Sequence, residues 1–302
     1  MNAIITERIA ELAAAEFNLG KPGVGSEDIG RVRESLKHFI RDWSIDGATE
    51  RERIFRPIIN VLRVVDKSER LGKRVLVPGS GLGRLAWEIS RLGYNTTANE
   101  LSFFMNLAFR FLLSPEMTTT TNEHTLRPYA HWFSHQRSNE SLFRAIHFPD
   151  AIPRLSPTFH HVEADFLTLK PPSDIPPKFV WSKSDPALLE VGYDYIVTLF
   201  FIDTSLNVLA TMEHIYNLLR PGGTWINLGP LLWTSGGYAK IELSLNEVIR
   251  AAEEIGFVVH DGDVTAGDLF ARRTVECEYT GDTDAMMRWI YKAEFWVATK
   301  PK

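Results

Sequence analysis

Three carboxylates, each placed where an apolar run ends, follow a glycine-rich turn, and these are the residues best suited to hold a ligand and act on it. The turn reads Val77-Pro78-Gly79-Ser80-Gly81-Leu82-Gly83-Arg84. Alternate glycines permit unusual φ and let a ligand approach the main chain with no Cβ in the way, while the helix that follows offers unpaired N–H groups. Glu100 lies about twenty residues beyond Gly79, where a carboxylate can accept the hydroxyls of an adenosine ribose. Asp165 and Phe166 close a further strand. An adenine amino group needs an acceptor and its ring an apolar neighbour, which this pair supplies; a helix N-cap or a surface acid is the alternative. Asp203 ends the most apolar run, Tyr195 to Ile202. A continuous apolar run implies a central strand covered on both faces, so its terminal acid points into the crevice at the carboxyl edge of the sheet. Here the alternative is a cap for the helix that starts near Ser205.

The turn by itself suits a dinucleotide or S-adenosylmethionine (SAM), and no Gly-Lys-Ser/Thr follows it to make a phosphate loop of the Walker type. The elements that position these residues narrow the choice. An apolar Val75 to Val77, the glycines and a helix-period Leu85, Ile89 and Leu92 read as strand, turn, helix. After the Asp203 strand come a helix (Leu206 to Leu219), Arg220-Pro221-Gly222-Gly223 and a fifth strand from Thr224 to Leu228. That order belongs to class I SAM-dependent methyltransferases. A helix from Ser244 to Ile255 and strands at Phe257 to His260 and Ala293 to Thr299 complete a seven-stranded sheet whose last hairpin is antiparallel. The fold expected is therefore α/β, Rossmann-like, with residues 71–302 as the methyltransferase domain. Residues 1–70 form a helical cap, whose His38 and Arg41 read from the residues alone as a solvated helix face.

Residues 114–158 lack clean periodicity and form an insertion too long for a simple loop. Six of the nine histidines fall between His124 and His161. His131 and His135 have the i, i+4 spacing of a zinc helix, but Trp132 stands where its catalytic glutamate belongs, and packed or surface histidines are the plainer reading. Between the last two strands, Trp289 and Tyr291 are candidates to line a substrate pocket, as are Met286 and Met287, for which plain packing is the stronger reading.

Composition sets the remaining bounds. The chain has 302 residues, 44% hydrophobic and 24% charged, with a net charge of −5, an ordinary globular balance that argues against a nucleic-acid partner. Cys277 is its one cysteine, which fits a reducing compartment. No apolar run approaches the roughly twenty residues of a membrane span. Glu7, Arg8 and Glu11 occupy the place where a signal peptide is apolar. A cytoplasmic protein is expected, with the nucleus left open, no membrane partner, a small-molecule or peptide substrate, no metal, and a homodimer as an option.

Longer blocks carry a family resemblance. Val77 to Glu88, Asn99-Glu100-Leu101-Ser102-Phe103-Phe104-Met105, Phe200-Phe201-Ile202-Asp203 and Trp225 to Leu232 resemble the carnosine N-methyltransferase (N2227-like) family, as do Phe39 to Ser44 and Ile241 to Ser244. The resemblance spans roughly residues 31–302. It implies methyl transfer from SAM to an imidazole nitrogen of the histidine in carnosine. It further implies that Arg41, Gly79, Glu100, Asp165, Phe166 and Leu199 contact SAM, with Gly81 and Gly83 in the same turn and His38 at a position where the family has glutamine. Asp203 would bind the substrate imidazole and Tyr291 would help to hold the dipeptide. A substrate-contacting histidine of the family is replaced here by Thr234, so membership is implied and carnosine itself is not. The alternatives are a methyltransferase diverged to a specialised metabolite and a SAM-binding protein without turnover, the latter opposed by the intact glycines and acids.

Overall fold

The computed structural model describes residues 2–18, 29–172, 191–233 and 238–302. Three helices come first, α1 (Asn2–Phe17), α2 (Ile29–Trp43) and α3 (Ala48–Arg63). An alternating run follows: β1 (Arg74–Pro78), α4 (Arg84–Arg91), β2 (Asn95–Glu100) and α5 (Phe103–Leu113). The insertion contributes β3 (His124–Leu126), α6 (Asn139–Leu142) and β4 (Ile146–Phe148), with β3 and β4 paired as a small antiparallel sheet of their own. The chain then returns through β5 (Phe159–Glu163), β6 (Tyr193–Leu199), α7 (Val208–Leu218), β7 (Leu219–Gly229), α8 (Leu245–Ile255), β8 (Val258–Val259), β9 (Arg273–Cys277) and β10 (Tyr291–Thr299).

The main sheet runs β5-β2-β1-β6-β7-β10-β8, with β9 also on β10. Strands β5, β2, β1, β6 and β7 are parallel, and β10 joins β7 antiparallel. Strand order reverses between β1 and β6, and the crevice at the carboxyl ends of those two strands is where open α/β sheets bind ligands. Both faces of the sheet are covered because its strands alternate apolar side chains up and down. Val75, Val77, Val197 and Val297 enter the core beneath α2 to α5, whereas Leu76, Ile196, Trp225 and Trp296 enter the core beneath α7 and α8.

The expected order of elements is present, with three differences of detail. Part of the segment read as a pocket-lining connection, Arg273–Cys277, forms β9 and extends the sheet to eight strands. The fourth parallel strand stops at Leu199, not Asp203, because Phe200 adopts φ 51° and turns the chain out of the ladder. Asp203 consequently sits in a one-turn helix, Ile202–Thr204. The third parallel strand likewise ends at Glu163, ahead of Asp165.

The N-terminal helices dock directly on the glycine turn. Leu36, Phe39, Ile40 and Trp43 make the apolar face of α2, and the Trp43 indole N–H donates to the Leu82 carbonyl at 2.8 Å. The Arg84 guanidinium lies 4.8 Å over the Trp43 ring and donates to the Asp42 carbonyl at 3.0 Å. Among the described residues no helix is long and apolar enough to cross a membrane.

Candidate active site

The turn between β1 and α4 carries its three glycines with left-handed backbone: φ is 59° at Gly79, 55° at Gly81 and 72° at Gly83. A Cβ at Gly79 would come within 2.4 Å of the Phe201 ring, so the position requires glycine on two counts. At Gly81 the nearest atoms to such a Cβ are Arg41 Nη2 and His38 Nδ1 at 3.8 Å and Asp42 Oδ2 at 3.9 Å. The end of α2 therefore stands over the glycine turn, and the cap supplies one wall of the crevice.

His38 and Arg41 do not lie on a solvated face. They are 5% and 7% exposed, with Asp42 at 1%. Charged residues are seldom buried without a partner, and here the partner is next in sequence. Arg41 Nε and Nη2 donate to the two Asp42 oxygens at 2.7 and 3.0 Å. Burial works against both charges, but the pairing prevails: it holds the Asp42 carboxyl well below the usual range and lifts the Arg41 guanidinium above its own. For His38, burial and the Arg41 charge push downward, while Asp42 and Glu34 prevail and leave its pKa raised. Three buried polar atoms around the turn have no hydrogen-bond partner among the described residues: Arg41 Nη1, His38 Nδ1 and Ser80 Oγ. A buried guanidinium N–H left over after pairing suits an anionic group such as the carboxylate of SAM.

Glu100 ends β2 beside the same turn and is 9% exposed. Its Oε2 accepts the Gly81 N–H at 2.8 Å and its Oε1 accepts the Ser102 N–H at 2.7 Å. Burial raises its pKa, partly opposed by these donors. Two amides use about half of a carboxylate's four acceptor sites, one on each oxygen. The remaining site on each oxygen matches the two hydroxyls of a ribose. The glycine cradle, the leftover Arg41 N–H and the Glu100 carboxylate together fit SAM. When bound, that cofactor supplies an electrophilic methyl group.

Asp165 is exposed and its Oδ1 accepts the Leu167 N–H at 2.9 Å, so it caps the turn Phe166–Thr168. The N-cap alternative therefore describes its local bond. Phe166 is buried and meets the Phe201 ring edge-on at 5.4 Å, which places it against the residue that packs on Gly79. Leu199 ends β6 half-buried.

Asp203 is 5% exposed, and its cap alternative fails: Asn207 caps α7, accepting the Ala210 N–H at 3.3 Å. Asp203 Oδ2 instead accepts the Leu232 N–H at 3.0 Å, which ties the turn after β6 to the segment after β7. Burial pushes its pKa up to about 6, opposed by backbone N–H donors, and among the described residues no cation counters it. A buried carboxylate with a single close donor and no counter-ion is suited to a protic ligand. Tyr291 lies near enough that the Asp203 charge, after burial, raises the tyrosine's pKa.

Tyr291 and Trp289 line one cavity of about 300 Å³ together with Tyr129, His131, Trp132, Tyr279 and Met287. The methionines do not pack in a core: Met286 is 64% exposed and Met287 43%, because the β9–β10 connection runs over the surface. The insertion forms the opposite wall. It is fastened by Gln136 to Asp282 at 2.7 Å, by Arg144 to Asp282, and by the Met286 N–H to the His135 carbonyl at 2.7 Å. His124 bonds Thr118, His147 bonds Thr125 and His160 bonds Asn95. No group of three His, Cys, Asp or Glu side chains is placed to hold a metal ion among the described residues. Thr234 lies outside the described residues.

Sequence reasoning passed over two participants. Asp42 was only one letter in a block, and its burial comes from a turn about forty residues away. Tyr279 sits in a segment without periodicity, and no sequence signal marks it.

A doubly wound sheet with a glycine turn, a ribose-type acid after β2 and a buried acid after β6 defines the class I methyltransferase fold. The family model described as carnosine N-methyltransferase matches residues 21–302, and the chain belongs to that family. It is 34% identical over 284 residues to the carnosine N-methyltransferase of Mus musculus, covering 91% of this chain and 64% of that protein. It is 31% identical to the Schizosaccharomyces pombe enzyme, covering 100% of this chain and 80% of that one. The chain thus spans just under two thirds of the mouse relative's length. Among solved structures it is similar to magnesium protoporphyrin IX methyltransferase from Synechocystis with bound SAH, at a TM-score of 0.47 and 11% identity, covering 90% of this chain and 94% of that one.

Proposed function

We propose that the chain is a SAM-dependent N-methyltransferase acting on an imidazole nitrogen of a histidine-containing small molecule or peptide. The observation that carries this reading is Asp203, a buried carboxylate at the ligand edge of the sheet with no cation beside it among the described residues. Methyl transfer from a sulfonium is an in-line displacement, so the chain's task is chiefly to hold the nucleophile about 3 Å from the methyl carbon. Asp203 accepts a hydrogen bond from one ring N–H, which fixes the tautomer and leaves the other nitrogen's lone pair free. As that nitrogen forms its bond to carbon, the ring becomes cationic, and the adjacent carboxylate stabilises the charge. Tyr291 and Trp289 border the cavity into which the rest of the acceptor extends. The family name supports an imidazole acceptor, and Thr234, in place of the family's histidine, favours a second reading in which the acceptor is another amine or heterocycle.

Mass spectrometry with methyl-labelled SAM and a panel of histidine dipeptides, histidine peptides and simple amines separates the two. Label on an imidazole nitrogen is the expected result. Label only on an aliphatic amine, with every imidazole unmodified, would remove the imidazole reading.

A further inference from the structure

The cofactor wall and the acceptor acid belong to chain segments far apart in sequence, yet one side chain touches the structure on both sides. The Arg41 guanidinium carbon lies 4.5 Å from the centroid of the Tyr279 ring. The Phe200 ring stacks on the same tyrosine at 4.3 Å with an interplanar angle of 23°. His38 meets it edge-on at 5.8 Å. Phe200 is the left-handed residue directly after β6, three positions before Asp203, and its ring also meets Tyr291 at 5.5 Å. A bulky residue holds such a backbone conformation only when its surroundings fix it. Tyr279 itself is anchored by its neighbours, since the Thr280 N–H donates to Glu50 on α3 at 2.8 Å.

We infer that Tyr279 is a positioning residue for methyl transfer: its ring holds the Arg41 guanidinium for the cofactor and holds Phe200, and thereby the Asp203 turn, for the acceptor. A guanidinium held over an aromatic ring keeps its planar fork oriented in a way a flexible ammonium does not. With Asp42 fixing one edge of Arg41 and Tyr279 beside it, the remaining N–H of Nη1 has little freedom. On the other side, the stack holds Phe200 in its left-handed backbone just after its N–H makes the last bond to Leu228, and the turn there carries Asp203 to the crevice. The hydroxyl is secondary to the ring in both roles.

The inference rests on SAM lying against Gly81 and Arg41, and the test separates that placement from the role of Tyr279. Calorimetric titration of S-adenosylhomocysteine is run on the full chain and on Arg41→Ala, Tyr279→Phe, Tyr279→Leu and the double variant Arg41→Ala/Tyr279→Leu, with kcat and KM for the acceptor measured on each. Tyr279→Met replaces Tyr279→Leu in the same comparison if the latter does not fold. Tyr279→Phe keeps the ring and should stay within about threefold of the parent in every constant. Tyr279→Leu should weaken cofactor binding by about tenfold, the scale of a desolvated cation–aromatic contact. That loss should vanish when Arg41 is already absent, because contacting residues are not additive. The fall in kcat at saturating SAM should persist in the double variant, since it runs through Phe200. Unchanged affinity in Arg41→Ala would remove the cofactor placement. A weakened Arg41→Ala with an unaffected Tyr279→Leu, additive losses in the double variant, or a Tyr279→Phe as impaired as Tyr279→Leu would each overturn the role of Tyr279.

Discussion

The two sides of the crevice are built on opposite plans. On the cofactor side, Arg41, Asp42, His38 and Glu100 are all buried; Arg41 is bonded to Asp42, His38 stands 3.6 Å from the same carboxylate, and Glu100 is bonded to backbone N–H groups. On the acceptor side a buried carboxylate, Asp203, stands without a counter-ion among the described residues, and beyond it the cavity is walled by aromatic residues such as Trp132 and Trp289, 58% and 75% exposed. A ligand of fixed shape is met by donors and acceptors already in position. A nucleophile that gains charge only during reaction is met by a group whose own charge is destabilised by burial until a cation forms beside it. Under the proposed function the first side serves affinity and the second serves rate.

The largest expected effect falls on the second side. Asp203→Asn keeps the size and the bond to the Leu232 N–H but removes the charge, and steady-state turnover should fall about a hundred- to a thousandfold while SAM affinity stays within a few-fold. Near-normal turnover would merge the two sides into one binding site. The same variant should be more stable than the parent. A carboxyl raised from 3.8 to about 6 stabilises the folded state fully only below the unfolded pKa, and that contribution is lost as pH rises through about 6. At pH 7.5 removing the charge should therefore stabilise the fold by on the order of 3 kcal/mol, a gap that closes towards pH 3.8. Denaturant melts at several pH values check this, and equal stability at neutral pH would contradict the burial of an unpartnered charge.

On the first side, Glu100→Ala leaves ribose hydroxyls unpaired. It should weaken SAM binding by about ten- to a hundredfold by calorimetry, with kcat at saturating SAM much less affected. The acidic limb of kcat/KM sharpens the contrast further: Asp203 gains its proton below about 6 and the acceptor imidazole protonates in the same range, so the limb should approach about a hundredfold fall per pH unit and relax to about tenfold in Asp203→Asn, where only the imidazole titrates. Trp289→Ala should change least. An exposed ring is worth little to the fold, so stability should stay within about 0.5 kcal/mol while KM for the acceptor rises severalfold.

What could be read from the sequence follows the same division. Gly79, Glu100 and Asp203 were legible because each follows a strand, where position alone fixes direction and composition fixes chemistry. The burial of His38 and Arg41 was not, since a helix period sends charged residues to the solvent face unless a partner is known, and their environment is set by a glycine turn far along the chain. The end of β6 at Leu199 was hidden because Phe200, Phe201 and Ile202 continue the apolar run. Apolar character cannot report that Phe200 leaves the ladder with a positive φ. The strand at Arg273–Cys277 has too many polar residues to stand out, and its place follows from pairing with β10. Tyr279 carries no local pattern and matters only through residues brought to it by the fold.

A structure of the protein with S-adenosylhomocysteine and a histidine dipeptide bound tests the division most directly. The expected complex has the homocysteine carboxylate on Arg41, the ribose hydroxyls on Glu100, and an imidazole N–H within hydrogen-bond distance of Asp203, with the other ring nitrogen facing the cofactor sulfur. An imidazole bound elsewhere, with Asp203 still engaged only by the Leu232 N–H, would contradict it.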